Sequence, residues 1–349
     1  MARKEPGEAF AAGVLALETG TSARCVELFG SIETAPGAAP GLVSAMGWVP
    51  YANVANQVSS LQNSSVPVLR YVGIAAAAVN RHDPGSVLND ALTAEDPRLC
   101  ARAFKAAGEL GRADIARFFW PGYTHSESQV RFWSAWAGAL LGDLNSIDIL
   151  KKLATEPGSY CDVAAGMALR RMDVKERAGW HAELLRSPTA ARQAAVGVGV
   201  IGDPALLPWL IEQMANDELA RAAGESFTMI TGADLAYLDL ERDRPEGFES
   251  GPTESPDDDD VAMDPDDNLP WPDPKLIEAW WSKRSSEFKA GQRYLIGKPM
   301  TPENLQWVLR HGRQRQRAAA ALELAIADPK APLFEVRASA MRQKQILGL

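Results

Sequence analysis

One string in this 349-residue chain matches a ligand-binding fingerprint: Gly197-Val198-Gly199-Val200-Ile201-Gly202, which spells GxGxxG. In a dinucleotide site such glycines follow a strand and open a helix, so that backbone N–H groups can reach a pyrophosphate. Here they close an alanine-rich run and precede Asp203. That context predicts glycines that let two helices approach closely, not a cofactor cradle. A zinc site needs clustered thiolates or imidazoles. His82, His125, His181 and His311 stand apart, with no HExxH and no CxxC. A GxSxG elbow and a GxxxxGK phosphate loop are also missing. The sequence therefore assigns no catalytic residue, no cofactor and no metal ligand, and the chain reads as a non-enzyme.

The elements that would position any site are more legible. Hydrophobic residues make up 46% and charged residues 23%, enough apolar surface to bury a core. A segment that opens on a charged residue, runs through small and apolar residues and closes on Asp recurs six times. It covers Arg70 to Asp83, Arg102 to Asp114, Arg131 to Asp143, Asp162 to Asp173, Arg192 to Asp203 and Arg221 to Asp234. The closing aspartates are spaced by 31, 29, 30, 30 and 31 residues, the period of a stacked helical array.

Each segment has helical length, and its alanines and glycines suit the packed inner helix of a pair. A second helix follows, as in Pro204 to Met214, where Leu206, Leu207, Leu210, Ile211 and Met214 share one face. Asp-Pro pairs at Asp83, Asp203 and Asp328, and the pairs at Asp96, Ser187, Asp273 and Thr301, read as N-caps ahead of a first-turn proline. The fold expected is all-α: a HEAT-like α-solenoid of stacked two-helix repeats with a period of about 30 residues. Four stretches follow: N-terminal helices and a capping repeat over 1–66, repeats in register over 67–240, an acidic insertion over 241–273, and C-terminal helices and a capping repeat over 274–349.

The insertion breaks the register. It holds thirteen Asp or Glu against Arg242 and Arg244, a balance of −11 in a chain of net charge −9, leaving the rest near +2. A nearly neutral body argues against wrapping phosphate backbones. Ordering about thirty residues costs tens of kcal/mol of backbone entropy, at roughly 1–2 kcal/mol each. Phe248, Val261, Met263, Leu269 and Trp271 are too few to offset that, so a mobile, disordered loop is expected, docked at its end by Leu269 to Trp271. The run Asp257, Asp258, Asp259 and Asp260 reads as a solvated loop or as a contact for a basic partner. It lacks the spacing and turn glycine of a calcium loop.

Tryptophan anchors interfaces as well as cores. Trp133, Trp136, Trp209, Trp280, Trp281 and Trp307 fall in expected helices and should be buried, whereas Trp120 and Trp271 lie beside prolines and suit a contact surface. The cluster Arg310 to Arg317 sits where cations favour a helix C-terminus, and its Arg313 and Arg315 are further candidates to grip the acidic loop, or a phosphate. The candidate partner-binding residues are thus Asp257, Asp258, Asp259, Asp260, Trp271, Arg313 and Arg315. Cys25, Cys100 and Cys161 are unpaired by spacing and suit a reducing compartment. No secretory leader is expected, since Glu5 and Glu8 follow the first basic residues, and no membrane span is expected. The expected location is cytoplasmic.

Several strings carry a resemblance. Gly41 to Val49 (GLVSAMGWV), Arg102 to Arg112 (RAFKAAGELGR), Arg131 to Trp136 (RFWSAW), Tyr294 to Pro299 (YLIGKP) and Arg313 to Leu324 (RQRQRAAAALEL) resemble those of a bacterial HEAT-repeat-like conserved family. The resemblance runs from about residue 10 to the C-terminus. Members are often encoded beside type VI secretion components and their effectors. The resemblance implies a cytoplasmic accessory with a protein partner: an adaptor or chaperone for an effector or spike protein, or an immunity protein against a toxin. It carries over no catalytic residues. Two rivals stand beside it, a DNA-acting HEAT-like enzyme of the base-excision type and a purely structural spacer. The first requires an electropositive groove around an acid, which the charge distribution disfavours.

Overall fold

Residues 5–19, 22–251 and 263–349 are described in the computed structural model. Among them the chain is helical apart from one two-stranded hairpin and one isolated bridge. It divides into two compact units, Met1–Leu150 with Ala321–Leu349, and Lys151–Ala320. The first unit holds α1 (Pro6–Glu18), α2 (Ser22–Thr34), α3 (Ala39–Trp48), α4 (Tyr51–Gln62), α5 (Pro67–Val79), α6 (Ser86–Ala91), α7 (Pro97–Leu110), α8 (Phe119–Tyr123) and α9 (Ser128–Leu141). The division falls within α10 (Ser146–Thr155). The second unit holds α11 (Cys161–Arg171), α12 (Val174–Arg186), α13 (Ala191–Ile201), α14 (Leu207–Gln213), α15 (Asp217–Thr231), α16 (Pro274–Arg284), the strands β1 (Tyr294–Leu295) and β2 (Lys298–Pro299), and α17 (Pro302–His311). A further division falls within α18 (Gln314–Ala327), and α19 (Ala340–Leu347) belongs to the first unit.

The six recurring segments supply α5, α7, α9, α11, α13 and α15, each packed on its neighbour inside its own unit: α5 on α7 and α7 on α9 in the first, α11 on α13 and α13 on α15 in the second. Small residues permit this. A methyl group built on Gly108 would lie 3.0 Å from the Cα of Ala137, and one on Gly199 would lie 3.0 Å from the Cα of Ser226. The glycines of the GxGxxG string therefore serve helix contact, and the last of them, Gly202, ends α13 at a φ of 74°. Amphipathic partners cover this row. Leu207, Leu210 and Ile211 of α14 bury against Phe227 and Ile230 of α15 and Ile277 of α16 in one apolar cluster.

Side-chain caps set several of the helix starts. Ahead of Pro97 the carboxylate of Asp96 accepts the Leu99 N–H at 2.9 Å. Ahead of Pro274 and Pro302, Asp273 accepts from Lys275 and Leu276, and Thr301 from Asn304. Asp203 accepts from Ala205 and opens a short 3₁₀ turn. Three expected caps differ. Asp83 and Asp328 each accept the N–H two residues on, forming turns, and α6 begins only after Gly85 at a φ of 67°. Ser187 bonds the Thr189 hydroxyl instead of a helical N–H. Short side chains that reach their own near backbone compete with capping in this way.

The YLIGKP string forms the hairpin, with Tyr294 opposite Pro299 and Leu295 opposite Lys298. Ile296 and Gly297 take positive φ at its turn, the conformation a two-residue hairpin needs. The N–H groups of Ile296 and Gly297 donate to Met229 and Ile230 at the end of α15. Of the tryptophans expected inside, Trp136 is buried and Trp133, Trp209, Trp280 and Trp281 are half-buried. Trp307 is 43% exposed, because α17 turns it outward to stack on His311 under the Lys298 ammonium.

Helix contact through glycine makes a paired prediction. Gly199→Val should lower unfolding stability by about 1–3 kcal/mol through overpacking. Gly179→Ala, in exposed mid-helix with no atom near its Cβ, should raise it by up to about 1 kcal/mol. Urea unfolding followed by circular dichroism measures both.

Candidate functional site

The opening residues of two recurring segments, Arg192 and Arg221, lie in the first turn of α13 and the second turn of α15. Each meets the acidic insertion. Arg192 binds Asp266 through both terminal nitrogens, at 2.6 and 3.0 Å, while its Nε donates to Asp162 of α11 at 2.8 Å. This bidentate geometry is the strong form of a guanidinium–carboxylate pair. Arg221 pairs with Asp264 at 2.6 Å, the two side chains only 9% and 7% exposed. Its guanidinium also lies over Trp271 and Phe248, which meet edge to face.

The described arms, 241–251 and 263–273, are held at several points. Arg242 donates its N–H to the Trp271 carbonyl at 2.8 Å and pairs through its side chain with Asp217 at 2.7 Å, and Asp273 donates to the Leu240 carbonyl at 2.9 Å. Asp264 also accepts from Ser250 and from the Asp266 N–H. Burial alone would raise the Asp264 carboxyl, but these hydrogen bonds and Arg221 outweigh it and hold it below the usual carboxylate range. Apolar content alone predicts a mobile loop here. Ion pairs and cation–aromatic contacts instead hold the described residues 241–251 and 263–273.

Beside the arms opens a cavity of about 510 Å³, lined by Glu225 and Thr228 of α15, by Asp234, Glu241 and Leu269, and by Arg313 and Arg315. Arg313 pairs with Asp234, and Arg315 donates to the Pro265 carbonyl at 3.0 Å. Glu225 has no hydrogen-bond or ion-pair partner among the described residues. Burial pushes its carboxyl above the ordinary glutamate value, and the nearby charges of Arg315 and Arg313 only partly offset this. The arrangement can seat one or two side chains of a partner and offer them both charge signs at once.

The candidates from sequence distribute as follows. Arg313 and Arg315 line the cavity, and Trp271 lies in the adjoining arm under Arg221. Asp257, Asp258, Asp259 and Asp260 lie outside the described residues. Arg192, Arg221, Glu225, Asp264 and Asp266 escape a reading of the sequence. For the two arginines a signal exists, since both open a segment of the register. Trp120, the other contact candidate, is 69% exposed, in the first unit. Among the described residues no three His, Cys, Asp or Glu side chains gather as a metal site, and no helix is long and apolar enough to cross a membrane.

No family model matches the chain, and no curated protein or solved structure matches it. The family resemblance is carried by the quoted strings alone.

Two outcomes test the site. Arg221→Met should cost about 3 kcal/mol or more, because it strands the buried Asp264 charge. Asp264→Asn added to it should recover part of that loss in a double-mutant cycle. Glu225→Gln should stabilise the chain at neutral pH. The folded chain holds Glu225 above the unfolded value of about 4.3, so ionising it costs stability. The cost is absent below that value and grows as pH rises through the folded one, so the advantage of the Glu225→Gln variant should vanish in acid. Thermal melts across pH read both.

Proposed function

We propose that the chain is a HEAT-like α-solenoid of stacked two-helix repeats that works as a protein-binding scaffold, its partner seated at the cavity beside the acidic arms. The six-segment register and the packing of successive inner helices within each unit support the repeat reading. The observation that carries the binding reading is Glu225, a half-buried carboxyl on the wall of an open cavity with no hydrogen-bond or ion-pair partner among the described residues. A purely structural wall has no need of a destabilising acid, whereas a recognition wall gains a contact that only a bound donor completes. The exposed Arg313, across the cavity, adds a group of opposite sign.

The family resemblance supports a partner from a type VI secretion pathway, an effector, toxin or spike protein, with the chain as adaptor, chaperone or immunity protein in the cytoplasm. The base-excision reading finds less support. The inner-helix arginines of the second unit are already paired with carboxylates, which leaves little positive charge for a nucleic-acid backbone.

Affinity purification of the tagged chain from its native host, with Glu225→Gln and Arg313→Ala/Arg315→Ala beside the unaltered form, tests this. A secretion-related protein recovered by the unaltered chain should fall about tenfold in yield with the arginine variant. Equal recovery by all three forms, or no secretion-related protein at all, would contradict the proposal.

A further inference from the structure

In the first unit the charged face of the inner helices has a different occupant. Helix α7 carries Arg102, Lys105 and Glu109 at spacings that share one face. Arg102 Nη2 donates to Glu109 at 2.8 Å with both side chains buried, while Arg102 Nη1 is buried with no hydrogen-bond partner. The Lys105 ammonium lies 4.2 Å from the centre of the Trp133 ring, and burial brings it down to about 8. Arg81, just beyond α5, completes the group.

Arg81 takes a φ of 60°, a left-handed position that disfavours any side chain. At the ends of α7 and α9 the same terminal position belongs to Gly111 and Gly142. A non-glycine residue kept in that conformation points to a use for its side chain. The use is visible. Arg81 Nη1 donates to the Ala78 carbonyl at 2.6 Å, its Nε donates to the Leu333 carbonyl, and its Nη2 donates to the Glu335 carboxylate at 3.4 Å.

The stretch from Lys330 to Glu335 crosses the C-terminal ends of α5 and α7. The Leu333 N–H donates to the Glu109 carbonyl at 2.9 Å, so both backbone groups of Leu333 are taken up. Glu335 is 10% exposed, facing Arg81. Capture of main-chain groups reads no side chain, and the carboxylate then supplies the selection. With this stretch lifted away, Arg81, Arg102, Lys105 and Arg342 remain as four cations against the one anion Glu109, and one buried guanidinium nitrogen still lacks an acceptor.

We propose that the surface at the C-terminal ends of α5 and α7 is a receptor for an extended acidic peptide, with residues Leu333 to Glu335 of this chain as its resident and displaceable occupant. The peptide recognised offers the N–H and C=O of one residue to Glu109 and Arg81, with a carboxylate two positions later. The surface shares no residue with the cavity of the second unit, so its failure leaves the reading above untouched.

The probe is a fluorescein-labelled peptide of residues 329–339, added to the full chain. In a chain carrying Leu333→Pro and Glu335→Ala the resident stretch loses its backbone donor and its carboxylate. The probe should bind that chain about tenfold or more tighter than the unaltered chain, and a probe with Gln at position 335 should bind about tenfold weaker. Arg81→Gly in the same chain relaxes the backbone and should abolish uptake. Should the double variant lack a cooperative melt, Glu335→Ala alone carries the same comparison. Equal binding by altered and unaltered chains, uptake insensitive to Arg81→Gly, or self-association of the altered chain without probe uptake would overturn the proposal.

Discussion

A guanidinium placed among packed helices loses water on most sides and must find acceptors, carboxylate or carbonyl. Leaving such a charge unpaired costs several kcal/mol. The recurring segments open on arginine at most repeats, and the neighbouring helix rarely supplies the counter-charge. Asp162 does so for one side of Arg192, while Arg102 finds Glu109 on its own helix. The rest arrives from distant sequence: Asp266 lies 74 residues beyond Arg192, and Glu335 lies 254 beyond Arg81. These pairs hold stretches that lack regular structure against the helices.

The same demand explains why the candidate site sits where it does. Arg192 and Arg221 use Asp266 and Asp264, and Arg315 holds the Pro265 carbonyl between them. That fixes the arm as one wall of the cavity. On the opposite wall the nearest fixed charge to Glu225 is not close enough to bond it, so this carboxyl keeps its desolvation penalty. Sites that bind tend to retain such groups at some expense of stability, because a ligand completes what the protein leaves open. Leu235, Ala236, Leu269 and Pro270 give the cavity apolar lining, so a bound side chain would be partly desolvated on entry.

Much of the helical framework is legible in the sequence. The helices themselves and the caps at Asp96, Asp273 and Thr301 follow from local chemistry, and local chemistry is what a single sequence displays. The hairpin at Tyr294 is not legible, since two-residue strands carry no alternation and Ile296 is an unfavourable residue for positive φ. Of the site, Arg313, Arg315 and Trp271 are visible as a basic cluster and a proline-flanked aromatic. The pairing of Asp264 with Arg221 is not, because it depends on how the chain returns across α15. Apolar content is a local property of the loop, whereas the neutralisation of buried arginines, which orders its arms, is a long-range effect.

Hydrogen exchange of the two arms tests the central claim most directly: that inner-helix arginines, not apolar burial, order the acidic segment. In the unaltered chain the amides of Arg242 and Asp273 should be protected, consistent with their bonds to the Trp271 and Leu240 carbonyls. In a chain carrying Arg192→Met and Arg221→Met both should exchange about tenfold or more faster while the mid-helix amides of α13 and α15 keep their protection. Arms that already exchange freely in the unaltered chain, or arms equally protected without the arginines, would contradict the account.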